Sequence, residues 1–360
     1  MQFLSLALLA ANALVVTANY AEGGHGRPSN TWLRDFDNLV AFGDSYTDEN
    51  RLAYFLNHNG QAPPPGTLLP PSNATAGGGI TWARYVSDNT GAMLYNYAVS
   101  GAVCDNNQIY RFIEFGPFPD VVYEVNAFIA DVNYINKTTH TNTLYTNRRP
   151  DNTVYSIWIG TNDLGVDAFL TDSSLHDTTI PDYVDCIYDK FDQIYREGGR
   201  YFVLMNTAPL QLSPLYGMPD AGGLTASHYW PDKWANTTEI SGKMKEYTQL
   251  VNSIFEYRTP YELLVARRYP EASIAIFDVH SLITDIYTNP TDYLASPANV
   301  TGQYFLCDVA TGTVCTSQTN IGLDHFLWYD ELHPSQQTDK TIAKEFANVV
   351  KGTSKYATYW

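Results

Sequence analysis

Leu39-Val40-Ala41-Phe42-Gly43-Asp44-Ser45 is an apolar run that ends in a glycine and a serine. A short apolar run closed by a turn signal reads as a buried strand. Gly43 permits a sharp turn, and a serine leaving a strand on that turn presents its hydroxyl outside the sheet. In open α/β sheets, sites form at such carboxyl ends of strands. The stretch therefore predicts a buried strand with Ser45 as a candidate nucleophile at its end.

The pattern recurs along the chain. Leu94 to Ala98, Val154 to Ile159, Tyr201 to Met205 and Ser273 to Val279 read as further strands. Thr81 to Ser87, Asp120 to Tyr134 and Asp182 to Glu197 read as helices, as does Thr237 to Arg268, unbroken or divided near Pro260. Val121, Val125, Phe128 and Val132 recur at helical spacing, and Gly198-Gly199 is a helix stop. Ser335 to Val350 is a closing helix with Ser335 as a candidate N-cap. Strand–helix alternation predicts one α/β domain, with a parallel sheet covered on both faces. The loops 57–79, 138–152, 207–234 and 289–324 are long enough to carry function.

The first 18 residues read as a signal peptide. Their apolar run is interrupted by Asn12 and is short for a spanning helix. Val16 and Ala18 are the small residues a signal peptidase needs. Residues 19–360 then form the functional domain of an extracellular protein. A net charge of −17 argues against nucleic acid and anionic membranes as partners. It suits a soluble protein, including one working in mildly acidic surroundings. Four cysteines allow three pairings. The short Thr/Gly-rich segment between Cys307 and Cys315 favours a local pair, which leaves Cys104 with Cys186. Sequons at Asn73, Asn136, Asn236 and Asn299 are candidate glycan sites in a secreted chain. The 27 tyrosines fit either sugar-stacking surfaces or aromatic cores.

A serine hydroxyl needs a base, a group that orients the base, and donors for an oxyanion. Asp330-Glu331-Leu332-His333 offers orienter and base on one loop, the Asp three residues before the His. His325 is a rival base, but its neighbour Asp324 lacks that reach. Gly160-Thr161-Asn162-Asp163 follows a strand, and the Asn162 amide is a candidate oxyanion donor. Asn96 to Ala102 follows another strand, and Gly101 lets its N–H approach a substrate. Asp44 and Asp163 read as loop supports, and Asp48 as a helix cap.

Taken in order, these segments resemble the four blocks of the SGNH, or GDSL, hydrolase superfamily. The resemblance implies a single-domain, three-layer α/β/α sandwich with a mostly parallel, flavodoxin-like sheet. It implies Ser45 as nucleophile, His333 as base and Asp330 as orienter. The oxyanion hole would comprise the Ser45 N–H, the Gly101 N–H and Asn162, with no metal or organic cofactor. Tyr46 stands where the family name has Leu.

Gly78 to Ala83, Trp158-Ile159-Gly160 and Trp328 to Ser335 look like the fungal secreted acetylesterases of carbohydrate esterase family sixteen. That resemblance implies removal of acetyl groups from xylo-oligosaccharides or other acetylated sugars. No interaction motif in the sequence argues against a monomer. Tyr46, Trp82, Trp158 and Trp328, close to the motifs, are candidate sugar-stacking residues, although each also suits a core. Two alternatives stand beside this reading. One is a lipase or phospholipase acting on longer acyl esters. The other is an inactive carbohydrate-binding relative, against which the intact set of reactive residues argues.

Overall fold

The apolar run forms strand β1, Asn38–Gly43, with all six residues buried. Burial on both faces follows from its place inside the sheet. It pairs in parallel with β2, Met93–Asn96, on one side and with β3, Thr153–Trp158, on the other. Outward from β3 come β4, Tyr201–Met205, and β5, Ser273–Phe277, both parallel. A short edge strand, β6, Ala357–Tyr359, runs antiparallel to β5. The computed structural model describes residues 32–360 except Arg34 and His176. The expected signal peptide lies outside the described residues.

The spatial order is β2-β1-β3-β4-β5-β6. The parallel part is the flavodoxin-like doubly wound order, which leaves a crevice where the winding reverses, beside β1 and β3. Helices α3 (Val121–Asn133), α5 (Ile180–Arg196) and α6 (Thr237–Pro260) pack in succession on one face. Helices α2 (Trp82–Thr90), α8 (Gln336–Val350) and α7 (Val279–Thr288) pack together on the other. The result is a three-layer α/β/α sandwich.

Several boundaries differ from the sequence expectation for local reasons. The strand expected to reach Val279 ends at Phe277, because Asp278 accepts a hydrogen bond from the Ser281 N–H and caps α7. Helix α6 runs through Pro260 and relaxes into a π-helical turn at Tyr261–Val265. Helix α1, Arg51–Asn57, the one-turn helix α4, Thr161–Leu164, and strand β6 are too short to give a periodic signal. Ser335 caps α8, its hydroxyl accepting from the Thr338 N–H at 3.2 Å.

Much of the tyrosine stock is core. Tyr97, Tyr155, Tyr183, Tyr188, Tyr216 and Tyr269 are fully buried. Phe42, Tyr97 and Phe128 form a mutually packed aromatic group against β1. Among the described residues, no helix is long and apolar enough to cross a membrane. Asn73 and Asn236 are exposed, and Asn136 and Asn299 half-buried.

Candidate active site

Gly43 makes the turn that lifts Ser45 out of the sheet. Its φ is +147°, and a Cβ there would lie 2.1 Å from the Trp158 carbonyl oxygen on β3. No other residue fits that approach. The Gly43 N–H donates to Oε2 of Glu124 at 2.8 Å, and the Val99 N–H donates to Oε1 at 3.1 Å. A buried carboxyl from α3 thus ties the turn after β1 to the loop after β2. Burial outweighs these contacts and holds the Glu124 pKa well above its usual value.

The rest of the turn is internally braced. Oδ1 of Asp44 accepts from the Tyr46 N–H at 3.0 Å. Asp48, two residues before the N-cap Asn50, braces the start of α1 by accepting from the Arg51 N–H at 2.7 Å, and also receives the Ser100 N–H at 2.8 Å. The Asn96 amide donates to the Thr47 carbonyl at 2.6 Å. The first and second sequence blocks are therefore zipped together side by side.

The fourth block supplies an imidazole. Oδ1 of Asp330 accepts from the N–H groups of Leu332 and His333 at 2.9 and 2.7 Å, which folds the loop around the carboxylate. Nδ1 of His333 lies 2.8 Å from Oδ2 and 2.9 Å from Oδ1. Nε2 lies 2.8 Å from Oγ of Ser45, 288 residues away in sequence. All three side chains are buried. Burial favours the neutral imidazole, but the Asp330 carboxylate outweighs it and raises the His333 pKa above its usual value. For Asp330, burial works against the charge, and His333 reverses that and lowers its pKa.

The opposite wall comes from the second and third blocks. Gly101 has φ +89°, and a Cβ would press within 2.7 Å of the Phe118 ring. Nδ2 of Asn162 donates one hydrogen to the Ala102 carbonyl at 2.9 Å, leaving its other N–H without an acceptor among the described residues, and Asn162 lines the cavity. Among the described residues, neither the Ser45 nor the Gly101 N–H has an acceptor. Oδ1 of Asp163 receives the Cys104 N–H at 2.8 Å, joining the Gly101 loop to the Asn162 segment. Cys104 is bonded to Cys186 on α5, and Cys307 to Cys315 across a two-stranded ribbon. Burial raises the pKa of Asp163 to about 7 and that of Asp44 to about 6.

These walls enclose a cavity of about 330 Å³ lined by Ser45, Gly101, Asn162 and His333. The four aromatic candidates for sugar stacking are corrected by their positions. Tyr46, Trp82, Trp158 and Trp328 are buried, at 4%, 0%, 2% and 0% exposure, and none lines the cavity. Their polar atoms are engaged inside: Trp82 with Thr47, Trp158 with the Asn206 carbonyl, Trp328 with the Val300 carbonyl. The Tyr46 hydroxyl donates to the Leu332 carbonyl at 2.8 Å and so supports the histidine loop from below. His325 stays outside the site, with Nδ1 at 3.1 Å from the Pro297 carbonyl.

Sequence reasoning missed other residues. Phe118, Arg111, Asp167 and Tyr229 line the cavity. Glu124 was legible in principle, since it falls on the apolar stripe of Val121, Val125 and Phe128. Tyr229, in an irregular loop, carried no such signal.

The GDSL-like Lipase/Acylhydrolase model matches residues 39–346. An acetylesterase from Hypocrea jecorina is 46% identical over 330 residues, covering 91% of this chain and 92% of its own. An acetylesterase from Thermothelomyces thermophilus is 24% identical, covering 88% of each. A solved alpha/beta hydrolase enzyme from the Lake Arreo metagenome superposes with TM-score 0.40 at 11% identity, covering 90% of this chain and 98% of that one. That last likeness adds nothing to the topology above. The chain belongs to the GDSL-like lipase/acylhydrolase family and is a carboxylic ester hydrolase.

Proposed function

We propose that the protein is a secreted acetylesterase that removes acetyl groups from sugars through an acyl-enzyme on Ser45. The observation that carries this reading is the chain of contacts from Ser45 Oγ to His333 Nε2 at 2.8 Å and from His333 Nδ1 to Asp330 at 2.8 Å. The extent of identity with a fungal acetylesterase supports the acyl group, and the two disulfides support an extracellular setting.

Ser45 Oγ attacks the ester carbonyl as its proton passes to His333 Nε2. The carbonyl electrons move onto oxygen, where the N–H groups of Ser45 and Gly101 and the Asn162 amide receive the charge. Collapse breaks the bond to the sugar oxygen, which takes the proton from His333. Water then attacks the acetyl-enzyme, His333 accepting its proton, and acetate leaves with Ser45 restored. Asp330 stays ionised and holds the imidazole in the required tautomer.

Acetate release from acetylated xylo-oligosaccharides tests this reading. Ser45→Ala abolishes it, and Asp330→Asn lowers kcat by about 10³- to 10⁴-fold. Substantial turnover by Ser45→Ala refutes the assignment. A series of 4-nitrophenyl esters separates the alternatives. A steep fall beyond acetate supports the acetylesterase, a rise toward long chains supports a lipase, and no turnover supports a binding protein.

A further inference from the structure

We propose that Arg111 and Asp167 form the subsite for the alcohol half of the ester, and that its ligand is a sugar ring with neighbouring free hydroxyls. The proposal rests on the reading of Ser45 as the nucleophile for acetylated sugars, and it names how the sugar is held. Both side chains line the cavity that contains Ser45 and His333.

Arg111 is half-buried, and Nη1 donates to the Gly101 carbonyl at 2.9 Å. A guanidinium carries five N–H donors, so most of its capacity is left over. Among the described residues no carboxylate lies within 4.0 Å of its guanidinium nitrogens. Its guanidinium lies 6.0 Å from the centre of the Phe118 ring, which also faces the cavity. Arg111 is thereby held beside the oxyanion wall with unused donors.

Asp167 is exposed and has φ +57°, a conformation that Asp tolerates better than most residues but that still stores strain. The turn that presents it is pinned from below by Tyr216. The Val166 N–H donates to the Tyr216 hydroxyl at 3.1 Å, and a Cβ on Gly165 would lie 2.5 Å from the same oxygen. Among the described residues, the Asp167 carboxylate accepts no hydrogen bond and pairs with no cation.

An unpaired donor and an unpaired acceptor of opposite charge thus border one cavity without closing on each other. A ligand that satisfies both must offer donors and acceptors at short spacing and carry no net charge. A carboxylate on the alcohol half pairs with Arg111 but is repelled by Asp167, and an ammonium pairs with Asp167 but is repelled by Arg111, so each satisfies one group and opposes the other. An alkyl chain strips water from both without replacing it. Adjacent hydroxyls of a sugar meet both demands, donating to Asp167 and accepting from Arg111. Phe118 and Tyr229 add ring surfaces for its C–H faces.

The test compares kcat/KM for an acetylated xylo-oligosaccharide with that for 4-nitrophenyl acetate, whose alcohol half has no hydroxyls to offer. Asp167→Gly removes the carboxylate and relieves the strained φ, so the fold is kept. The sugar-to-aryl ratio falls about tenfold, mainly through KM, and Asp167→Asn falls between that variant and the wild type. A ratio that stays constant, or an equal loss on both substrates, overturns the subsite. If the wild-type protein itself releases no acetate from the sugar, the proposed function fails and the subsite falls with it. A wild type active on the sugar with an unmoved ratio sinks the subsite alone.

Discussion

The Tyr229 hydroxyl donates to Oδ2 of Asp330 at 3.1 Å, the same oxygen that lies 2.8 Å from Nδ1 of His333. Its ring stands edge-on to His333 at 5.8 Å. The adjacent His228 lies tilted against Tyr229 at 3.9 Å, and its Nδ1 comes within 2.9 Å of Oε1 of the buried Glu331 without hydrogen-bond geometry. Two neighbouring residues of one loop thus face two neighbouring residues of the other, joined by the Tyr229–Asp330 hydrogen bond. A donor on Asp330 spreads its negative charge and so weakens its hold on the imidazolium. Tyr229→Phe removes that donor and raises the His333 pKa further. The acid limb of kcat/KM then moves to higher pH, and activity on that limb drops about threefold. A uniform loss at all pH values, with the limb unmoved, would mean that Tyr229 only supports the loop.

In the proposed mechanism His333 works as a base only in its neutral imidazole form. Its pKa lies above the ordinary imidazole value because the Asp330 carboxylate overcomes burial. Activity therefore rises with pH through an apparent pKa higher than that of free imidazole and is low in mildly acidic solution. A pH profile of kcat/KM for 4-nitrophenyl acetate checks this, and an acid limb below the free-imidazole value contradicts it.

Stability has the opposite preference. Asp44, held up to about 6, and Asp163, held up to about 7, bind protons more tightly folded than unfolded, where the value is 3.8. Burial does the same to Glu124 and Asp339. For a raised pKa, the stabilisation is complete below the unfolded value and is lost as pH rises through the folded one. His333, also raised, acts in the same sense. Asp330, whose pKa is lowered, acts the other way and loses its contribution as pH falls. The melting temperature is accordingly higher at about pH 5 than at about pH 8, by about 5 °C. A melting curve series across that range measures the sign directly.

Gly43→Ala forces a methyl group against the Trp158 carbonyl, 2.1 Å from the ideal Cβ, at φ +147°. Either the turn opens or β1 and β3 separate at the site. The expected cost is about 3 kcal/mol or more, with Ser45 displaced from His333. Denaturant unfolding and ester turnover of the variant fall together; a stable, fully active Gly43→Ala protein contradicts this account.

The two disulfides differ in what they enclose. Cys104–Cys186 spans 82 residues and anchors the segment beside Gly101, whereas Cys307–Cys315 spans 8. Chain entropy assigns the longer loop ~4.5 kcal/mol and the shorter ~2.5 kcal/mol. Replacing both Cys104 and Cys186 by serine destabilises more and lowers kcat, while replacing Cys307 and Cys315 leaves kcat nearly intact. Unfolding curves together with kcat for the two double variants give the comparison.

The parallel strands, most of the helices and the three side chains that meet at Ser45 were legible because their signals are local. A strand of four to six apolar residues, a glycine turn and an Asp three residues before a His can each be read within one segment. The four blocks then set the order of those segments along the chain. The partners that complete each group could not be read, because they come from elsewhere. Glu124 reaches Gly43 across 81 residues, and Tyr229 reaches Asp330 across 101. The direction of a side chain also escapes a linear reading. Trp82, Trp158 and Trp328 sit next to the motifs in sequence but turn inward, since a large ring beside a sheet end gains more from burial than from water.

Sequence by itself determined the architecture and singled out Ser45, Asp330 and His333 as candidates, since backbone pattern and reactive residue types are properties of short segments. Tertiary structure alone decided which ordinary residues surround them. The switch point of the sheet brings Arg111, Asp167 and Tyr229 to one cavity. Packing of α3 beneath β1 buries a carboxyl, Glu124, where two turns need an acceptor. Those placements follow from the close packing of separate elements, and a free energy shared between distant side chains leaves no mark on either segment alone.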